Sequence, residues 1–282
     1  MVAASSAKGS DPAVIYMDIE TSGLGSRAEI LQLGATCDGQ IFSVYITPVG
    51  NIPGVVSRVN HLTKFGNRLQ YRGRTVRSVP IRTALLQFIE WMRSLEVKCC
   101  LVAHNLSFDG PKLWTEMRRH SMNAEFEEMV HCFVDTLALI KLLAQGRFTR
   151  YSLQALADFF NIQYEAHTAV EDCEALEQVL RAMEITDETL LQNSQPFKQQ
   201  INHWDHLEIT RRIRAGLSPL KRTVSPGIIQ RIAGAGITFQ TLNEVYVNDG
   251  EDGLRRLFQH AGLRFQRASF DSIHNFFLRQ PI

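Results

Sequence analysis

The first apolar segment of the chain, VIYMDIE, carries two carboxylates near its end. Its residue types favour a buried β-strand, in which successive side chains point to opposite faces, so Asp18 and Glu20 share one face while Ile19 points to the other. Two like charges at the mouth of an apolar core need a cation beside them. Carboxylate oxygens suit magnesium or manganese far better than zinc. The segment therefore predicts a strand that ends at a metal site.

Strand and helix patterns alternate along the first two thirds of the chain. After two further strands comes a helical pattern in PIRTALLQFIEWMRSL, where apolar residues recur on one face. Later segments predict two more strands, a helix from about Gly110 to Met122, and three helices at the end. The order βββαβαβααα predicts an α/β fold, a mixed sheet flanked by helices.

Composition divides the chain into three predicted parts. The N-terminus lacks an apolar stretch, which predicts a disordered tail and no signal peptide. The polar segment QNSQPFKQQINHWDH predicts a connector, and beyond it Ser225 and Thr238 are expected N-caps of two helices, with Gly236 as a helix stop. The tail, the α/β domain, and the connector with its smaller helical region are predicted at residues 1–12, 13–185 and 186–282.

A formal net charge of +1 excludes binding of polyanions through bulk charge, so a nucleic-acid partner needs a local patch. No apolar run approaches the length of a membrane span. The five cysteines form an odd set without CxxC spacing, which indicates neither a disulfide framework nor a structural zinc site. We therefore expect a protein of a reducing compartment, nuclear or cytoplasmic, without a membrane partner.

Three further residues extend the acidic pair. Asp109 follows the strand LVAH where a helix begins, and by itself it is either a helix N-cap or a metal ligand. His167 precedes Asp172 by five positions, and the chain between them enters an amphipathic helix. A histidine at a helix start is often a cap or a surface residue, but beside four carboxylates it becomes a candidate general base.

The motifs MDIETSGL, HNLSFD and HTAVEDCEAL resemble, in content and order, those of the DEDDh class of 3′→5′ exonucleases. The resemblance spans roughly residues 13 to 183. Within the class the chain looks most like the three-prime repair exonuclease branch, and especially the exonuclease-like domain of the promyelocytic leukaemia protein. That placement uses the C-terminal pattern SPGIIQRIAGAGITFQTL followed by DGLRRLF.

This resemblance implies a ribonuclease-H-like fold and two Mg²⁺ or Mn²⁺ ions. Asp18, Glu20 and Asp172 would hold one ion and Asp18 with Asp109 the second, while His167 would be the base. These five residues are the implied catalytic set.

The resemblance also implies contacts with the substrate. Thr21 and Leu24 would meet the terminal nucleotide, and Asn105 would line the turn of the second motif. For Leu24 an ordinary turn hydrophobe is the alternative.

A local basic patch lies between Gly39 and Phe88, which contain no acidic residue but seven arginines and lysines. With Tyr71 among them, Arg72 and Arg74 could follow a phosphate backbone, although a solvated face or loop would have the same composition. A second basic cluster at residues 211–222 could extend this surface or bind a protein.

Three functions remain open on the sequence. The first is an active exonuclease that degrades DNA from single-stranded or frayed 3′ ends to nucleoside 5′-monophosphates, with RNA not excluded. The second is a catalytically silent module that binds nucleic acid or a protein, and the third is a metal phosphodiesterase that cleaves internally. A homodimer is a further candidate assembly, because some members of the resembled class dimerise.

Overall fold

The computed structural model describes residues 11–279, so residues 1–10 of the predicted tail lie outside the described residues. The chain divides into two compact units, with the division after Gln200. The domain boundary near residue 185 remains a prediction.

From residue 11 onward, where the description begins, the first unit is built on ten strands that form two sheets. Seven of them make one mixed sheet in the order β10-β9-β8-β1-β2-β3-β7, and the other three make a small antiparallel sheet in the order β4-β5-β6. The strands are β1 (Ala13–Thr21), β2 (Ile30–Cys37), β3 (Gln40–Ile46), β4 (Leu62–Phe65), β5 (Arg68–Tyr71), β6 (Arg74–Thr75), β7 (Ser78–Val79), β8 (Cys99–Ala103), β9 (Val130–Asp135) and β10 (Gln195–Pro196).

Helices flank the large sheet, which confirms the predicted fold class. Within the first unit they follow the predicted α/β alternation. The helices of the chain are α1 (Gly54–Asn60), α2 (Ile81–Arg93), α3 (Leu106–Arg119), α4 (Asn123–Met129), α5 (Thr136–Ala144), α6 (Leu153–Phe159), α7 (Ala169–Ala182), α8 (Asp187–Gln192), α9 (Phe197–Gly216), α10 (Pro226–Gly234), α11 (Phe239–His260) and α12 (Arg267–Leu278).

The parallel strands β1, β8 and β9 lie at the centre of the sheet. Most of their side chains are apolar and buried, and β8 is buried over its whole length because neighbouring layers cover both of its faces. Parallel strands end at the same edge of a sheet, so the acidic end of β1 lies near the start of α3, which follows β8. This arrangement brings the first two motifs together.

Helix α7 packs closely on β2 at Gly34. A Cβ atom at this position would lie 2.6 Å from the carbonyl carbon of Ala169 and 2.7 Å from the backbone nitrogen of Val170. The buried side chain of Gln32 accepts a hydrogen bond from the Ala169 N–H at 3.3 Å, and Cys173 Sγ donates to the Gly34 carbonyl at 3.6 Å. Strand β2 therefore fixes the first turn of α7, which carries the third motif.

Replacing Gly34 by alanine is expected to push α7 off the sheet and to lower the free energy of unfolding by about 1–3 kcal/mol, the usual cost of overpacking. The measurement is thermal unfolding of the purified chain. Gly54→Ala is the matched control, because its Cβ would meet only the end of the flexible Arg58 side chain, at 4.0 Å. Equal stability of Gly34→Ala and the wild type would contradict the close approach.

Two local predictions were wrong. Helix α3 begins at Leu106 rather than near Gly110, because Asn105 adopts a left-handed backbone conformation, with φ 69°, directly after β8. The predicted polar connector contains β10 and the beginning of α9. In α9 the buried Phe197 and Ile201 lie four positions apart, a short helical pattern that the polar residues between them concealed.

The second unit has its own apolar core, formed by the residues of α10, α11 and α12 that face one another. The predicted caps are confirmed: Ser225 accepts a hydrogen bond from the Ile228 N–H at 3.4 Å, and Thr238 accepts one from the Thr241 N–H at 3.0 Å. Among the described helices, none combines the length and the apolar character that a membrane crossing requires.

Candidate active site

Three of the predicted site residues meet at one point of the first unit. Glu20 lies near the end of β1, His167 in the loop before α7, and Asp172 in the first turn of that helix. One ligand atom from each side chain lies within 4.8 Å of the other two. This is a spacing at which a metal ion could touch several of them. The structure thus brings together the first and third motifs, which are far apart in the sequence.

Asp18 and Asp109 lie beside this group. Asp18 shares a strand face with Glu20. After burial, the nearby carboxylates raise the pKa of Asp18 further; they are Asp109, Asp172 and Glu20. Asp109 is 3% exposed and accepts a hydrogen bond from the Ile19 backbone N–H. Asp109 stands inside the first turn of α3, where Asn105 is the N-cap, so the N-cap alternative for Asp109 is wrong.

All four carboxyl groups have raised pKa values. Burial raises the pKa of Asp18 and Asp109 well above the usual range, and neighbouring carboxylates raise both further. Burial, with repulsion from Asp172, raises the pKa of Glu20 to about 7, and burial is also the main cause that raises the pKa of Asp172 to about 7. A divalent cation would compensate four such groups, and its preference for oxygen ligands matches this set.

The pKa values predict how the metal-free protein responds to pH. A carboxyl group whose pKa is higher in the folded than in the unfolded protein binds more protons when folded, so its stabilising contribution is lost as pH rises. Between the ordinary carboxyl pKa near 4.5 and the value of about 7 for Glu20 and Asp172, we expect the melting temperature in chelator to fall. Thermal unfolding at several pH values, with chelator or with magnesium, measures this.

Magnesium or manganese at pH 7.5 should raise the melting temperature again and reverse the fall expected in chelator. The reason is that a cation binds the ionised carboxylates of the folded chain only. Calcium and potassium at equal ionic strength serve as comparisons. A melting temperature that stays constant or rises with pH in chelator would contradict the burial of these charges.

The loop before α7 fixes His167. Its backbone is in the left-handed region with φ 70°, and its N–H donates to Asp172 Oδ2 at 3.0 Å. The hydroxyl of Tyr164 also donates to Asp172. Partial burial, and after it electrostatic repulsion from His61, lower the pKa of His167. The imidazole is therefore neutral at physiological pH, as a proton acceptor requires.

Glu165, two residues before His167, connects this loop to the small sheet. Its carboxylate accepts a hydrogen bond from the Tyr71 hydroxyl at 2.9 Å and forms an ion pair with Arg72. Its backbone N–H donates to Glu171 Oε2 at 2.5 Å. We call the contacts of Glu165 with Tyr71 and Arg72 the clasp. The clasp thus joins the His167 loop to the small sheet, while the Glu171 contact joins it to the first turn of α7.

Sequence reasoning missed the clasp and also missed Asn60. The Asn60 side chain is buried, with 2% of it exposed, and it hydrogen-bonds to Glu20. Its amide nitrogen donates to the Thr21 carbonyl at 3.2 Å, and its amide oxygen accepts a hydrogen bond from the Leu62 N–H at 3.2 Å. It therefore orients the end of β1. The segment VNHLTK, which resembles the exonuclease pattern, was the available signal for this residue.

The predicted substrate contacts lie at different places. Thr21 is buried at the end of β1 and donates to the Gly23 carbonyl at 2.8 Å, whereas Leu24 is 88% exposed. Asn105 is exposed and accepts a hydrogen bond from the Ser107 hydroxyl. Arg72 is engaged in the clasp, and Arg74 is exposed. The roles of these residues in binding a substrate remain predictions.

Comparison with known proteins adds a family and two structures. The model of a family described as exonuclease, RNase_T, matches residues 15–180. No curated protein sequence matches the chain. A structure of a 3′-exonuclease that recognises a histone mRNA stem-loop is 12% identical with a TM-score of 0.50, over 64% of this chain and 66% of that one. The chain thus spans just under two thirds of that protein's length.

A product-bound structure of exonuclease I is also 12% identical, with a TM-score of 0.50, over 95% of this chain and 72% of that one. At such low identity the two structures show a shared fold, the sheet and helices described above. The family match covers more than half of the chain and includes the strands and helices that carry the five site residues.

Proposed function

This chain belongs to the RNase_T exonuclease family, and on that basis we propose that it is a metal-dependent 3′→5′ exonuclease of the DEDDh class. Its substrate would be DNA with single-stranded or frayed 3′ ends, and its products nucleoside 5′-monophosphates. The observation that carries the proposal is the meeting of Glu20, His167 and Asp172 within 4.8 Å, beside Asp18 and the buried Asp109.

The carboxylates would hold two Mg²⁺ or Mn²⁺ ions. Asp18, Glu20 and Asp172 form one ligand set, and Asp18 with Asp109 the other. When bound, the ions would stabilise the negative charge that develops on the attacking and leaving oxygens. The chain's contribution is to keep four oxygen ligands at the edge of a rigid sheet. Glu20 is oriented by Asn60, Asp109 by the Ile19 N–H, and Asp172 by its contacts with His167 and Tyr164.

His167 would act as the general base. Hydrolysis forms a bond between a water oxygen and the phosphorus of the last phosphodiester, breaks the bond from phosphorus to the 3′-oxygen of the preceding nucleotide, and releases a 5′-monophosphate. The neutral imidazole accepts the proton that the water loses. The clasp and the Asp172 contact fix the loop, which limits the positions that the imidazole can take.

The finer placement is also a proposal. We propose the three-prime repair exonuclease branch, nearest to the exonuclease-like domain of the promyelocytic leukaemia protein, because the helices α10 and α11 form where that C-terminal pattern predicts them. The second unit would then be an accessory module that binds a protein. Homodimerisation stays a proposal to be measured by light scattering.

The test is digestion of a DNA with a single-stranded 3′ overhang, labelled at its 5′ end, in magnesium, manganese or chelator. A ladder that shortens from the 3′ end, releases mononucleotides and requires metal is expected. The control substrate carries phosphorothioate linkages at its 3′ end, which should stop the ladder. Internal fragments would favour the phosphodiesterase alternative, and intact DNA and RNA with folded protein would favour the silent binding module.

A further inference from the structure

The small sheet has one covered and one open face. Cross-strand partners share a face, and on one face Leu62 and Leu69 are buried against Leu31 of the large sheet. On the other face Phe65 stands directly opposite Arg68. The Phe65 side chain is 73% exposed, an unusual position for a phenylalanine at the tip of a short hairpin. We call this second face the hairpin face.

The segment that contains the small sheet carries charged residues of one sign. Between Gly39 and Phe88 the chain has seven basic and no acidic residues. Two of the seven are engaged: Lys64 donates to backbone carbonyls of Val49 and Gly50, and Arg72 belongs to the clasp. The others form no ion pair with any described residue between 11 and 279; they are Arg58, Arg68, Arg74, Arg77 and Arg82.

The clasp joins the small sheet to the loop that carries His167. Tyr71 ends β5 and contacts Glu165, two residues before His167. Arg74 stands opposite Tyr71 on the edge strand β6 and shares the face of Tyr71, whereas Arg68, three residues before Tyr71 on β5, shares the hairpin face with Phe65. A chain that leaves the site past Glu165 would meet the exposed Arg74 on the edge strand, and would pass over that edge to reach Arg68 and Phe65 on the hairpin face.

We propose that the hairpin face, together with Arg74 on the adjoining edge strand β6, binds the single-stranded part of the substrate on the 5′ side of its terminal nucleotide. This inference rests on the proposed function. Arg74 and Arg68 bind backbone phosphates, and a base stacks on Phe65, as aromatic and arginine side chains do in proteins that bind single strands without sequence preference. The occupant is a nucleic acid rather than an acidic peptide, because the exposed aromatic ring offers a stacking surface that every base can use.

Binding is measured by fluorescence anisotropy with a labelled 12-nucleotide DNA, magnesium present, in the Asp18→Asn background. Replacing Arg68 and Arg74 together by glutamine is expected to weaken binding about tenfold or more. The slope of log affinity against log salt concentration should become less steep by about 1.4, the value for two phosphate contacts on single strands. Phe65→Ala is expected to weaken binding about tenfold and to leave the slope of log affinity against log salt concentration unchanged.

Arg93→Gln is the matched control, an exposed arginine in the last turn of α2 that lies outside the hairpin. Thermal unfolding of every variant checks the fold. In the otherwise wild-type enzyme, the hairpin variants should degrade the 12-mer more slowly but hydrolyse a dinucleotide at the wild-type rate, because a dinucleotide does not reach the hairpin face.

The outcomes separate this inference from the proposed function. If the wild type degrades no nucleic acid but the hairpin variants lose binding to the 12-mer, the proposed function fails and the hairpin face stands. If folded hairpin variants bind the 12-mer as the wild type does, the hairpin face is overturned while the exonuclease stands. Binding of labelled poly-glutamate to the hairpin face, together with no binding of DNA, would also overturn it, in favour of an acidic protein partner.

Discussion

Replacing Asp18 by asparagine is expected to lower the exonuclease rate about 10³-fold or more. The amide keeps the shape of the carboxylate but removes the charge that the proposed site uses for both cations. Loss of several kcal/mol of charge stabilisation in the transition state corresponds to at least three factors of ten. The measurement is the single-turnover rate of release of the terminal nucleotide in magnesium.

The same substitution should raise the stability of the metal-free protein. Burial disfavours the ionised form of the Asp18 carboxyl group, and so does repulsion from Asp109, Asp172 and Glu20. Removing its charge relieves that repulsion, so the melting temperature in chelator at pH 7.5 should rise by about 2–4 °C per kcal/mol of relieved repulsion. Stabilisation by added magnesium should shrink. A loss of activity through misfolding would lower the melting temperature instead, so the two readings are distinguishable.

Asp38→Asn is the matched control. Asp38 is exposed in the turn between β2 and β3, and its φ of 47° is a backbone conformation that asparagine adopts readily. The same chemical change there should leave activity, stability and the response to magnesium unchanged. Full activity of Asp18→Asn would refute the proposed metal site.

The residues that meet at the site were predictable because their local patterns are strong. Strand alternation places Asp18 and Glu20 on one face, and the helix that follows His167 fixes Asp172 in its first turn. Neither pattern shows how near the two segments come. That proximity depends on Gly34, where β2 lets α7 approach, and a glycine in a strand does not reveal in the sequence what packs on it.

The small sheet illustrates what the basic composition concealed. Gly66 and Asn67 separate the strand-like segments LTKF and RLQY, which is a hairpin signal, but the arginines around them were interpreted as a basic patch, with a solvated face or loop as the alternative. The clasp could not be predicted at all, since Tyr71 and Glu165 are 94 positions apart and each is an ordinary surface residue type. Contacts of this kind depend on the assembled fold rather than on local periodicity.

Replacing His167 by alanine is expected to lower the rate of the chemical step by about 10²–10⁴, the usual contribution of a general base. The imidazole lies within 4.8 Å of the ligand atoms of Glu20 and Asp172, a distance that fits either a base beside the metal or a further metal ligand. The resemblance assigns the base. Single-turnover hydrolysis gives the loss of rate, and thermal unfolding in magnesium tells the two roles apart.

A base does not hold the ions, so His167→Ala should keep the full rise in melting temperature on addition of magnesium, and imidazole in solution should restore part of the rate. His131→Ala, an exposed histidine of β9, is the control and should change neither quantity. If His167→Ala instead loses the magnesium response together with activity, the imidazole is a ligand and the base must be sought elsewhere. The N–H of His167 that donates to Asp172 belongs to the backbone, so the alanine variant keeps this donor. The substitution therefore removes the imidazole ring and not the contact with Asp172.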